Sequence, residues 1–145
     1  MFKEKPKILM VDDKPENLVV LEKLLSVFDV LLYKALSGND ALALMLEHEF
    51  MLALLDVQMP EMDGYEVLDI MSEDEHTKHI PVIFITANYG DKVHQIKAYQ
   101  YGAVDYLFKP IDKQILLTKV KVFIDLHEQK MAFKGLQQRY QLILD

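Results

Sequence analysis

The sequence predicts an α/β domain in which five parallel strands form a sheet covered by helices on both faces. Two observations carry that expectation. Five short apolar runs recur along the chain, separated by stretches whose apolar residues repeat at helical spacing. Four of the five runs also stop abruptly at chemistry-bearing residues: Asp12-Asp13, Asp56, Thr86 and Lys109. Strands buried on both faces read this way, as continuous apolar runs that break where the sheet edge meets solvent.

Taken in order, Lys7 to Val11 is the first strand, and Asp12-Asp13 ends it. Pro15 suits the first turn of a helix, where no amide hydrogen is needed, and Leu18, Leu21, Leu24, Leu25 and Phe28 follow at helical spacing. Val30 to Ala35 is the second strand. Ser37-Gly38-Asn39-Asp40 supplies capping residues for a compact helix expected over Ala41 to Phe50. The third strand, Met51 to Leu55, runs into Asp56. Pro60 then stops regular structure by fixing φ and removing a donor, and Asp63-Gly64 turns the chain into a helix from about Tyr65, with Val67, Leu68 and Met71 on one face. Pro81 to Ile85 is the fourth strand, with proline tolerated at its first position, and it ends in Thr86-Ala87-Asn88. A helix is expected from about Asp91 to Tyr101, stopped by Gly102. Asp105 to Phe108 is the fifth strand, and everything after Asp112 reads helical. Right-handed crossovers leave few topologies for this pattern. The flavodoxin-like order 2-1-3-4-5 is the commonest at this size, and it sets strands one and three side by side.

Composition narrows the function classes. At 145 residues and 51% hydrophobic the chain supports one substantial core. It has no apolar run of about 18 residues, so no membrane span is expected. Its start, Met-Phe-Lys-Glu-Lys-Pro-Lys, lacks the apolar stretch of a signal peptide. The absence of cysteine excludes disulfides and thiolate metal sites and fits a cytoplasmic protein. A formal net charge of -7 argues against nucleic-acid binding, which needs a basic face. No glycine-rich phosphate loop is present.

The strand order turns these residues into a site. Asp12, Asp13 and Asp56 fall at the carboxyl ends of neighbouring central strands, where open α/β sheets bind ligands. Such a group of repelling carboxylates is expected to hold a hard cation, and magnesium fits because it takes oxygen ligands and leaves positions for phosphoryl oxygens. Lys109 and Thr86 reach the same edge. A cation and a hydroxyl around a carboxylate suit an aspartyl-phosphate on Asp56, and the small Ala87 leaves room above it. Each residue also has a plainer reading: Asp12 and Asp13 as helix caps, Thr86 as a cap, Lys109 as a solvated surface lysine. The conjunction of all five at strand ends is what favours a site.

Asp12-Asp13, Asp56-x-x-Met59-Pro60-x-Met62-Asp63-Gly64, Thr86-Ala87 and Lys109-Pro110 together resemble the receiver domain of two-component response regulators, over about residues 5–125. The resemblance implies that Asp56 is the phosphoacceptor, taking a phosphoryl group from a histidine kinase or phosphotransfer protein. It implies that Asp13 binds Mg2+ directly, Asp12 mainly through water, and Gln58 through its main-chain carbonyl. Lys109 would pair with the phosphoryl group, and the bond before Pro110 would be cis. Thr86 and Tyr106 would be the switch pair, the hydroxyl moving toward phosphate as the ring turns inward. Gln58 and Asn88, each two residues beyond a site residue, are expected to tune phosphate lifetime by controlling water access. On this reading the chain is a phosphoacceptor and not an enzyme acting on outside substrates. Rival readings are a haloacid-dehalogenase-type phosphatase, which wants an acid where Gln58 stands, a flavodoxin-like cofactor binder, and a degenerate receiver serving only as a dimerisation module.

The tail divides the chain into a receiver, residues 1–125, and an extended helical linker, residues 126–145. A heptad places Leu126, Phe133 and Tyr140 at a, and Val122, Gln129, Leu136 and Ile143 at d. That seam is distinct from Leu116, Val120, Phe123 and Ile124, which are expected to face the sheet. Gly135 lies outside the seam and costs the helix up to about 1 kcal/mol, while Gln129 interrupts it with a polar side chain that sets register. The plainer reading is a solvated terminal helix. The seam predicts a homodimer through the terminal helix. The segment from Leu136 resembles the helix leading into a PAS sensor domain, which implies the amino-terminal receiver of a longer signalling protein.

Overall fold

The computed structural model describes residues 4–87, 96–97 and 99–144. Strands β1 (Lys7–Val11), β2 (Leu31–Ala35), β3 (Leu52–Asp56), β4 (Val82–Thr86) and β5 (Asp105–Phe108) form one parallel sheet in the order β2-β1-β3-β4-β5. Among the described residues the helical elements are α1 (Pro15–Leu25), α2 (Gly38–Glu47), α3 (Gly64–Ser72) and the long α4 (Lys113–Leu144). The expected five-stranded, doubly covered sheet is therefore the fold, with the strand order read from the sequence.

Successive side chains of a strand point to opposite faces, and the sheet uses both. Leu9, Val11, Ala53, Leu55 and Phe84 pack with Ala41 and Met45 of α2 and with Val67, Leu68 and Met71 of α3. Ile8, Met10, Leu52, Leu54, Ile83 and Ile85 pack with Leu18, Leu21 and Leu25 of α1 and with Leu116 and Val120 of α4. Val11 lies opposite Ala35 on one side and Leu55 on the other, and Asp56 lies opposite Ile85. This register brings residues 12, 13 and 56 to one edge of the sheet.

Several boundaries differ from the sequence reading, each for a local reason. Ser37 accepts the Asp40 N–H at 3.1 Å, so it is the cap itself and α2 begins at Gly38, not Ala41. The helix also ends at Glu47, because His48 is extended; Phe50 lies outside it, buried, with its ring 5.5 Å from that of Tyr33. Strand β3 takes in Asp56 and β4 takes in Thr86, so both groups are fixed on strands and not on the loops beyond. Pro81 precedes β4, its carbonyl accepting the Ala53 N–H at 2.9 Å. Most of the helix expected from about Asp91 to Tyr101 lies outside the described residues. Within it 96–97 and 99–100 are helical, and Gly102 follows at φ 98°.

Helix α4 keeps two lives. Leu116 and Val120 are buried, and Phe123 and Ile124 pack partly against the same core. From residue 126 to 144 only His127 and Gly135 are other than exposed. The expected seam is accordingly open, with Val122, Leu126, Phe133, Leu136, Tyr140 and Ile143 all exposed. Among the described residues no helix is long and apolar enough to cross a membrane.

Candidate functional site

Asp12 follows β1, and Asp13 follows it, while Asp56 is the last residue of β3. Because those strands are neighbours, a carboxylate oxygen from each of the three lies within 4.8 Å of the others. Asp12 and Asp56 are buried, at 2% and 3% exposure, and Asp13 is half-buried. Lys109, one residue beyond β5, brings its ammonium 3.2 Å from Asp12 Oδ2 and 3.4 Å from Asp56 Oδ2. Its backbone N–H donates to the Thr86 carbonyl at 2.9 Å, so the ends of β4 and β5 hold the lysine in place. Thr86 is itself buried, and the Lys109-Pro110 bond is cis.

The loop after Asp56 is bent hard. Val57 N–H still donates to the Ile85 carbonyl, at 3.0 Å, and Gly64 N–H returns to the Val57 carbonyl at 2.9 Å. Glu61 takes φ 69°, a left-handed conformation uncommon outside glycine. Asp63 caps α3 by accepting the Glu66 N–H at 2.9 Å. Gly64 is required for close approach: a Cβ there would lie 2.7 Å from the Asp56 carbonyl oxygen and 3.0 Å from Val57 Cα. Both are backbone atoms of the strand end that carries the acid. Gly64→Ala is expected to destabilise the fold by about 1–3 kcal/mol, the usual scale of overpacking. Urea unfolding followed by circular dichroism checks this; an unchanged midpoint and slope would show that the loop yields freely.

Electrostatics follow from burial and crowding. Asp56 is pushed up to about 6, first by burial and then by the neighbouring Asp12, against the opposing pull of Lys109 and the Gln58 backbone. Burial works against the charge on Lys109, but Asp56 and Asp12 more than offset it and hold the ammonium above the usual lysine range. Lys109 therefore stays charged, and its single charge does not compensate the acids. The donor set fits a hard divalent cation: three oxygen ligands in reach of one another, with one of them resisting ionisation until further positive charge arrives.

Asp12 is not the cap of α1. That position is Lys14, which makes no side-chain cap bond. Asp12 instead accepts the Lys14 N–H at 2.9 Å and the Asn17 side-chain amide at 3.0 Å. Asn17 is a supporting residue that the sequence reading missed. Its only sequence signal is a polar residue early in a helix that follows the acid pair. Tyr106 sits within β5 on the edge of the sheet, half-buried against the α2/α3 side of the core. Gln58 is exposed, and Asn88 lies outside the described residues. A cleft of about 550 Å³ beside Val57 is walled by Gln58, Met59, Asp63, Tyr65 and Lys97 and does not include the acids.

Residues 8–121 match the family described as the response regulator receiver domain. The chain belongs to that family. Receivers are the phosphoacceptor domains of two-component systems, and they bind Mg2+ at an acidic pocket of this kind. The receiver is 40% identical over 113 residues to a "Probable cyclic di-GMP phosphodiesterase" of Vibrio cholerae, covering 78% of this chain and 25% of that protein. It is 38% identical over 135 residues to response regulator PleD of Caulobacter vibrioides, covering 92% of this chain and 28% of PleD. The chain thus spans about a quarter of the length of these curated relatives. Among solved structures it is similar to chemotaxis protein CheY4 of Vibrio cholerae, with a TM-score of 0.75 and 25% identity over 83% of this chain and 99% of that one.

Proposed function

We propose that Asp56 takes a phosphoryl group from a histidine kinase or phosphotransfer protein in a magnesium-dependent reaction, and that the receiver switches conformation in response. The convergence of Asp12, Asp13 and Asp56 with Lys109 against them is the observation that carries this reading. An Asp56 oxygen attacks phosphorus in line with the bond to the donor imidazole; a P–O bond forms, the P–N bond breaks, and the imidazole leaves. Asp12, Asp13, Asp56 and the Gln58 main-chain carbonyl would hold the metal, whose charge offsets that developing on the phosphoryl oxygens. Lys109 moves from pairing with carboxylates to pairing with the phosphoryl group. Thr86, fixed at the end of β4, supplies the hydroxyl that follows the phosphate, and Tyr106 turns into the space it leaves.

Residues 1–125 are read as the receiver and 126–145 as a linker that pairs with its copy in a homodimer and leads toward a downstream effector. The setting is cytoplasmic. The intact acid cluster, with its lysine in place, argues against a degenerate receiver kept only for dimerisation. Exposed Gln58, standing where a dehalogenase-type phosphatase wants an acid, argues against turnover of outside substrates.

Incubation with Mg2+ and acetyl phosphate followed by intact-mass measurement tests the proposal. One added phosphoryl group, labile to hydroxylamine and absent with chelator, is expected. Labelling of Asp56→Asn, or steady hydrolysis of an external phosphoester, would overturn it. Lys109→Ala is expected to fold, with slightly lower stability in the metal-free protein because the acids lose the compensating charge of Lys109, while phosphoryl uptake or the switch fails. The same mass assay checks this, and wild-type uptake together with a wild-type switch would remove Lys109 from the mechanism.

A further inference from the structure

The edge strand β5 carries a side-chain cluster that phosphoryl transfer does not use. The Tyr106 ring is held edge-on between two others: Tyr99, with centroids 5.5 Å apart at 72°, and Phe108, at 5.1 Å and 63°. Tyr99 is half exposed, yet burial, the Asp105 carboxylate and Tyr106 together hold its hydroxyl above the usual tyrosine range. Asp105 has two duties besides. One oxygen accepts the Tyr106 backbone N–H at 2.8 Å, and the other accepts the Lys119 ammonium of α4. Lys119 lies between Leu116 and Val120, within the buried part of the helix whose continuation forms the open seam.

We propose that Tyr99, Asp105 and Lys119 form a latch that holds Tyr106 in its half-buried place and ties that place to the C-terminal helix. Tyr99 is a positioning residue in this scheme, since it acts on the phosphoryl site through Tyr106. The latch rests on the reading of Tyr106 as the switch residue. Its logic is a population shift. A ring that must turn inward for the phosphorylated state has to leave its edge contacts with Tyr99 and Phe108. Each contact that favours the half-buried place lowers the competent fraction, and apparent reactivity falls with that fraction. Removing the contact raises reactivity by no more than the bias it supplied. The carboxylate adds the link to α4: when Tyr106 moves, the peptide N–H bonded to Asp105 and the ammonium paired with it feel the change together.

The test is the initial rate of phosphoryl uptake from acetyl phosphate with Mg2+, read by intact mass. Tyr99→Ala is expected to raise the rate about threefold to tenfold, the range a modest conformational bias gives. Tyr99→Phe, which keeps the ring and loses the hydroxyl, should fall between. Asp105→Asn keeps an acceptor for the Tyr106 N–H and removes the negative charge that faces Lys119 and Tyr99, and it should also raise the rate. In a Tyr106→Ala background, Tyr99→Ala should change nothing further, because the coupling runs through that ring. A packing role alone would lower urea stability and leave the rate ratio the same in both backgrounds, and that result overturns the latch. So does a wild-type rate for Tyr99→Ala. If the wild-type receiver takes up no phosphoryl group, the proposed function fails and the latch fails with it. If uptake is normal but insensitive to Tyr99, only the latch fails.

Discussion

Asp56→Asn will stabilise the metal-free receiver at neutral pH, and the gain will vanish in acid. The Asp56 carboxyl titrates at about 6 in the fold against an ordinary 3.8. The native state therefore binds its proton more tightly than the unfolded chain does. Between those values the folded protein holds more protons, so its stability falls as pH rises, and above about 6 the full penalty is present. Below the unfolded value both states are protonated and no penalty remains. A displacement of this size corresponds to about 2–3 kcal/mol. Asparagine has no charge to desolvate and no repulsion from Asp12, so it escapes the penalty. Urea unfolding of wild type and variant, both in chelator at pH 3, 4, 5, 6 and 8, should show a difference near zero at the acid end. That difference should grow to about 2–3 kcal/mol at pH 8. Added Mg2+ at pH 8 should narrow it by stabilising wild type more than the variant, since ligands that bind only the folded state stabilise by mass action. A difference that is flat from pH 4 to 8 would mean that Asp56 is ionised at no cost in the fold. The carboxylate cluster would then not be short of positive charge, and the case for a metal would lose its physical footing.

The fold was legible because every strand is short and largely apolar, and four of the five end at or beside the polar residues that mark the sheet edge. β1 and β5 have the bounds their composition suggests. The errors arose where two neighbours competed for one role. Ser37 and the residues after it all favour a helix start, and only the Asp40 N–H shows which oxygen caps it. Phe50 continues the apolar spacing of α2, yet it belongs to an aromatic group with Tyr33 and His48 that forms only once β2 and β3 are in place. The acids, Thr86 and Lys109 could be read because strand ends converge whenever the order is 2-1-3-4-5. Asn17 could not, because its amide matters only through a bond to Asp12 that the helix entry angle sets. Nor could the need for glycine at position 64: the sequence suggests a turn there, while the actual constraint is the backbone of Asp56 and Val57 pressed against it. The cluster of Tyr99, Asp105 and Lys119 draws on three successive segments of the chain whose side chains meet only once β5 and α4 are packed, and no spacing rule reports such a contact.

On the proposed pairing of the terminal helices, Phe133→Glu is expected to dissociate the dimer and to leave phosphorylation of Asp56 intact. The seam along α4 leaves an apolar stripe open, with Phe133 61% and Ile143 80% exposed. About three heptads is close to the shortest coiled coil that holds alone, so one core position carries much of the association. The proposed pairing is parallel, because two helices leading to downstream domains would leave their receivers in the same direction. The charges flanking the seam agree. In the heptad that puts Leu126 at a, Asp125 is at g and Lys130 at the following e, so each Asp125 faces a lysine of the other copy. The pair Asp125 makes within its own chain, with Lys121 at 3.2 Å, is exposed and cheap to exchange. Burying a phenylalanine contributes about 1.5–3 kcal/mol, and two are lost per dimer while two carboxylates are set against each other. The expected weakening is at least about a hundredfold, since 1.4 kcal/mol is a factor of ten. Marginal pairing is also what lets the receiver influence it, since a bias of that one factor suffices to shift association. Sedimentation of wild type and Phe133→Glu, each with and without beryllium fluoride and Mg2+, measures both effects. An unchanged monomer–dimer balance across the four samples would make the tail a linker only, and the signal would then leave through the surface around Tyr106.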